Sequence, residues 1–246
     1  MSILMRLSSG NRAHTGCMTA LGIARHVAVG SWNGLLRNCA FGVLLLCPSA
    51  MWSAELEVSR TLKGIEDRYN RTQVLQLSFT EAYRAQGRVR VEKGELLLRK
   101  PGRMRWQYTS PAGKLFVSDG KFIYSYTPQD NRAEKMKFKE ADDMRAPLAF
   151  LLGRLRFADD FREFRSHAED GGIYITAIPK SDKLPYTEVS FLATADFVIR
   201  RLEVRGQDNS LLQFTFENEK KDPPVNDSMF RFTPPAGAEY VDSSSQ

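Results

Sequence analysis

The sequence predicts a mainly β fold with some helix (α+β): an incomplete, strongly curved antiparallel β-barrel of about ten or eleven strands, covered by a lid of short helices. Three observations carry this expectation. Residues 94–126 alternate apolar and polar side chains along short strands broken at Lys100-Pro101-Gly102, Ser110–Gly113 and Asp119-Gly120. From Phe161 onward the same period-two pattern returns in successive short segments. Between these two regions, residues 142–155 (DDMRAPLAFLLGRL) switch to a helical period and are strongly apolar. Alternating strands in such number carry more apolar surface than one flat sheet can bury. Curling the sheet under helices buries both apolar sets.

Taken in order, residues 1–54 contain Arg6, Arg12, Arg25 and Arg37, no acid, and all three cysteines, Cys17, Cys39 and Cys47. Arg37 is followed by CAFGVLLLCPSA, a short apolar run ending in small residues, which is the layout of a secretory signal. It is shorter than the ~20 apolar residues that span a bilayer. We therefore expect a leader over 1–54, cut near Ala54, and a single domain over 55–246. The long charged region ahead of the apolar run makes Met18 an alternative start. Leu46 precedes Cys47 where a lipid-attachment site carries a small residue, which favours a cleaved over an anchored form.

Residues 55–73 place Leu56, Leu62, Ile65 and Tyr69 at helical spacings, with Ser53 as the expected N-cap. Leu75, Leu77 and Phe79 then alternate with Gln76, Ser78 and Thr80 on a strand with one buried face. A turn at Gln86-Gly87 leads to a strand at 88–92. The meander follows: Leu96 and Leu98, then Met104, Trp106 and Tyr108, then Leu115 and Val117, with Asp119-Gly120 signalling a type I′ hairpin into Phe122, Tyr124 and Tyr126. Residues 132–139 read as a polar strand. Leu148, Leu151, Leu152 and Leu155 form one stripe of the apolar helix, which Pro147 helps to start. Strands are expected at 161–167, 173–179, 187–192, 197–205, 211–218 and 228–232, before Pro234-Pro235 ends the pattern.

The whole chain has 35 Lys and Arg against 29 Asp and Glu. Without the four leader arginines it has 31 against 29, so the basic character belongs largely to the leader. A nucleic-acid partner, which needs a concentrated basic face, is not expected. Arg103 and Arg105 alternate with Met104 and Trp106 and read as the wet side of a half-buried strand. His167, the sole histidine after residue 54, sits beside Ser166 and near Glu169 and Asp170 at a strand end. A catalytic role would need a nucleophile and an orienting acid from elsewhere, so it reads as an exposed histidine. The acid pairs Asp142-Asp143 and Asp159-Asp160 flank the apolar helix and read as its solvated ends. The sequence offers no metal, phosphate or nucleophile motif, so neither catalysis nor a cofactor is expected. The aromatic residues of the meander are ordinary core taken singly; taken as a set they can equally line an apolar ligand cavity.

The ordered motifs GELLLRKPGRMRWQYTSP, FVSDGKFIYSYTP, APLAFLL and FRFTPPAG resemble the LolA family of periplasmic lipoprotein carriers. The resemblance covers nearly the whole chain after the leader. It implies a periplasmic carrier, a monomer without catalysis. Such a carrier accepts acylated lipoproteins from an inner-membrane ABC transporter, shelters their acyl chains in an apolar cavity, and passes them to an outer-membrane receptor. On this resemblance the cavity falls to Leu77, Phe79, Leu96, Leu98, Met104, Trp106, Phe116 and Tyr124, with Leu148, Leu151 and Leu152 from the lid. Lys100, with Arg99 beside it, occupies the basic rim position before Pro101 that the family ties to lid opening. The family's usual residue there is arginine, and lysine lacks its planar fork of donors. Carriage of another lipid, such as a glycolipid, and a lipid- or protein-sensing regulatory domain of the same fold are the alternatives. The sensors of this fold carry a further C-terminal domain, whereas this sequence reads as one domain.

Overall fold

The computed structural model describes residues 49–138 and 155–244. The expected leader as far as residue 48, and the expected lid residues Leu148, Leu151 and Leu152, lie outside them. The described residues start with helix α1 (Ser49–Arg71), then β1 (Val74–Ala85), β2 (Arg88–Arg99), β3 (Arg103–Ser110), β4 (Ala112–Asp119), β5 (Phe122–Thr127) and β6 (Arg132–Lys137). A single-turn helix α2 (Phe157–Asp160) leads to β7 (Phe161–Glu169), β8 (Gly172–Pro179), β9 (Tyr186–Ala193), β10 (Ile199–Gly206) and β11 (Leu211–Lys221). A 3₁₀ turn (Asp227–Phe230) and β12 (Glu239–Asp242) follow.

These strands form one 12-stranded sheet in the order β12-β6-β5-β4-β3-β2-β1-β11-β10-β9-β8-β7. Every neighbouring pair is antiparallel except β12 on β6. Among the described residues β7 and β12 each border a single strand, so the sheet is open, as expected of an incomplete barrel. The register shifts between Gln76 and Ser78, Lys93 and Gly94, Gln107 and Thr109, and Arg162 and Phe164, where one strand of the pair carries an extra residue. Such bulges bend and twist strands, which is how a sheet this wide curls.

Several local expectations need correction. The segments at 88–92 and 94–99 are one strand, β2, running straight through Gly94. Residues 228–232 do not form a strand: Asn226 Oδ1 accepts from Ser228 N–H and caps a 3₁₀ turn instead. The tight turn after β4 has Gly120 alone at positive φ, with Ser118 opposite Ile123, so it centres on Gly120-Lys121 in the manner of a type II′ turn. Asp119 sits outside it and accepts from the N–H groups of Lys121 and Phe122, both at 2.8 Å. The β1–β2 turn does have both Gln86 and Gly87 at positive φ, the type I′ signature.

Helix α1 is already helical at Ser49, so Ser53 lies inside it rather than capping it, and the junction expected near Ala54 falls within it. Its buried stripe is Val58, Thr61, Ile65 and Tyr69, with Leu62 packed at the margin. Leu56 is 72% exposed, because the 3.6-residue turn carries it off that stripe. Ile65 and Tyr69 join side chains of β1, β2, β3, β8, β9, β10 and β11 in one apolar cluster that also takes in Leu155 and Phe157.

Candidate functional site

Register builds the site. Leu75 stands opposite Leu98, Leu77 opposite Leu96, and Phe79 opposite Gly94. Leu98 then faces Met104, Leu96 faces Trp106, and Trp106 faces Phe116. On the other side Phe79 faces Phe216. Because side chains alternate across a strand, these residues share one face, and they make an apolar belt across β4, β3, β2, β1 and β11. Leu77, Phe79, Leu96, Leu98, Met104, Trp106 and Phe116 are all buried. Phe79 sets its edge against Trp106 at 4.8 Å and against Tyr108 at 5.1 Å between ring centres. Gly94 makes room for this ring: a Cβ there would lie 2.9 Å from Phe79 and 2.3 Å from the Gln107 carbonyl. The Trp106 indole N–H is buried and has no acceptor among the described residues.

The belt ends in charge that sequence reasoning missed. Glu81 and Glu92 are buried directly opposite one another on β1 and β2. The Tyr108 hydroxyl donates to Glu81 at 2.9 Å, and Lys114 binds Glu92 while its ammonium sits 4.3 Å from the centre of the Tyr108 ring. The signal was present: Glu81 occupies the apolar phase of Leu77 and Phe79, and Glu92 that of Leu96 and Leu98. An acid in the buried phase needs a partner.

Tyr124 does not join this face. Val117 pairs with both Arg105 and Tyr124, so Tyr124 lies on the reverse side, stacked on Phe232 at 5.5 Å. Phe122 and Tyr126 share that side by alternation, and Ile123 is the buried β5 residue on the belt side. Nor are Arg103 and Arg105 simply the wet side of β3. The C-terminal segment crosses them: Asp227 takes Arg99 and Arg103, the Met229 carbonyl accepts from Arg105 at 3.2 Å, and Phe230 is buried. Arg99 and Arg103 hold the Asp227 carboxyl below its ordinary range.

Arg99 and Lys100 therefore point to opposite sides. Lys100 Nζ donates to the Tyr69 carbonyl in the last turn of α1, and its N–H donates to Gln73 O at 3.0 Å. A cation there also complements the helix dipole. Burial lowers the Lys100 ammonium pKa, while Asp222 opposes that shift. Beside it the turns carrying the KPG and SDG motifs interlock. The buried Ser118 hydroxyl donates to Gly102 O at 2.9 Å and accepts from Gly120 N–H at 3.1 Å, while a Cβ on Gly102 would come within 3.2 Å of Gly120 Cα. The Tyr69 hydroxyl donates to Glu219 at 2.9 Å and accepts from Ile199 N–H at 3.1 Å, tying α1 to β10 and β11. Burial raises its pKa, and Glu219 adds to the rise.

Elsewhere His167 is exposed and meets Glu169 at 3.0 Å, and Asp159 pairs with Arg156. Cavities of about 280 and 370 Å³ border the outer flank of α1, the first against Gly172 and Ala193, the second against Phe197 and Asp222. Among the described residues no three His, Cys, Asp or Glu side chains gather as metal ligands, and no helix is long and apolar enough to cross a membrane.

The family profile described as Outer membrane lipoprotein carrier protein LolA matches residues 70–233, which contain the belt, Lys100 and the interlocked turns. The chain belongs to the LolA family. An outer-membrane lipoprotein carrier protein of Methylobacillus flagellatus is 24% identical over 208 residues, covering 84% of this chain and 99% of that protein. One from Methylococcus capsulatus is 26% identical, covering 82% and 98%. The crystal structure of a LolA superfamily protein from Nitrosomonas europaea superposes with a TM-score of 0.41 at 10% identity, over 71% of this chain and 97% of that one. At the level of the family the chain is a LolA-like carrier, and LolA carriers are chaperones rather than enzymes.

Proposed function

We propose that the protein is a periplasmic chaperone for acylated lipoproteins, taking them from an inner-membrane ABC transporter and delivering them to an outer-membrane receptor. The belt of Leu77, Phe79, Leu96, Leu98, Met104, Trp106 and Phe116 on an open sheet carries the proposal. Each acyl CH₂ removed from water is worth ~0.8 kcal/mol, so a lipoprotein's chains need an apolar surface of this breadth. The belt is buried in this structure, so cargo must displace what covers it. That exchange keeps net affinity modest and permits handover. The Trp106 N–H, without an acceptor among the described residues, supports the same role, since a buried donor left unpaired is costly in an ordinary core. In this proposal Leu148, Leu151 and Leu152 compete with cargo for the belt, and Lys100 anchors the α1 end of the mouth. Tyr124 has no part in it.

Native mass spectrometry of the protein purified from periplasm tests the proposal. Lipidated polypeptides are expected to co-purify. Recovery of glycolipid alone would replace lipoprotein with another lipid cargo.

A further inference from the structure

We propose that the free margin of β2 at Arg88–Glu92 is a docking edge for an extended acidic polypeptide segment, which adds a strand to the sheet there. The β1–β2 hairpin outruns its neighbour, because β3 pairs with β2 only from Lys93 opposite Ser110. Among the described residues, Arg88–Glu92 therefore has β1 alone as ladder partner, and its other margin offers unpaired N–H and C=O groups.

Natural sheets guard such margins with bulges, short strands or charge. β7, an outer edge of the sheet, is broken by a bulge with Glu163 at φ 53°, and β12, the other, has four residues. The β2 margin has neither device: its register on β1 runs unbroken from Val74–Arg99 to Ala85–Arg88. It also exposes two aliphatic side chains on one face, Val89 at 61% and Val91 at 52%.

Its guard is charge of one sign. Arg84, Arg88, Arg90 and Lys93 surround it, while Glu92, the acid of the stretch, is buried against Lys114 and Arg90. Two copies placed edge to edge would repel, and the same charges select an acidic strand. Alternation fixes what that strand presents: aliphatic side chains beside Val89 and Val91, carboxylates beside Arg88 and Arg90. A lipid surface fits less well, because hydrocarbon would leave the free backbone groups unsatisfied. This edge lies outside the belt and does not depend on the carrier proposal.

Fluorescence anisotropy with a labelled peptide alternating glutamate and valine tests it, alongside a lysine–valine peptide and phosphatidylglycerol vesicles. The acidic peptide is expected to bind, more weakly as salt rises, and to slow amide exchange at 88–92. Arg88→Glu, an exposed change, should weaken binding by about tenfold, as loss of a complementary charge does. Val89→Thr, which keeps the strand, should weaken it less. Equal binding of the lysine peptide, protection elsewhere, or capture by the vesicles without peptide binding would each overturn the proposal. Acyl loading is read separately by mass spectrometry, so either proposal can fail alone.

Discussion

Lys100 shows how one side chain is read differently once its partner is visible. By position it is a rim cation before a turn; in the structure it is the donor that holds the carbonyl end of α1 through Tyr69. Lys100→Met keeps the apolar stem and removes the donor. Such a hydrogen bond contributes about 1 kcal/mol net, so the unfolding midpoint should fall by about 2–4 °C, with faster amide exchange at Asn70–Thr72. An unchanged exchange rate there would remove Lys100 from the helix joint. Gly94 makes the complementary point about space. Gly94→Ala places a methyl against the Phe79 ring and the Gln107 carbonyl, so it should destabilise by about 1–3 kcal/mol, read by chemical denaturation. A neutral result would mean that β2 and β3 separate more easily than their packing indicates. Trp106 is a poor place for a charge on the same grounds: it is fully buried between Phe79 and Phe214, and an acid there would unfold the domain before it tested binding.

At the scale of elements, alternation located eleven of the strands closely enough to place the belt, because a half-buried strand writes its face into every second residue. What it did not convey was which strands share a face. Phe122, Tyr124 and Tyr126 look continuous with Trp106 and Phe116 until hairpin register is followed, and then they fall on the reverse side. The C-terminal segment was harder still. Its 3₁₀ turn has no period, and β12 is four residues held by parallel pairing to β6 and by Asp242 on Lys135 at 2.9 Å. Hydrogen bonds from Ser244, and then Lys135, hold the Asp242 carboxyl at about 2. A depressed carboxyl contributes stability that is complete above its ordinary range near 3.8 and lost as pH falls through about 2. Protection of the β12 amides should therefore decline between those values ahead of β1 and β11. Asp242→Ala should remove that pH dependence, and a retained dependence would assign it to another group.

On the scale of the whole molecule, the belt is useful only if its cover can leave, and, with Leu155 and Phe157, α1 shares the belt's apolar cluster through Ile65 and Tyr69. Its tether at Tyr69 is polar and specific: the hydroxyl donates to Glu219 and accepts from Ile199 N–H. Tyr69→Phe removes both bonds while keeping the ring in the core. The closed form should lose about 1–3 kcal/mol, because the buried Ile199 N–H loses its acceptor and the half-buried Glu219 loses a donor. A ligand that needs the open form binds with an affinity reduced by the fraction that is open, so raising that fraction strengthens binding. Stability and affinity should then move in opposite directions: a lower melting midpoint, and tighter binding of a fluorescent acyl probe, by up to about tenfold for 1.4 kcal/mol of closure removed. A variant that melts lower and binds more weakly, or no better, would show that α1 is a fixed wall of the site and that access lies elsewhere.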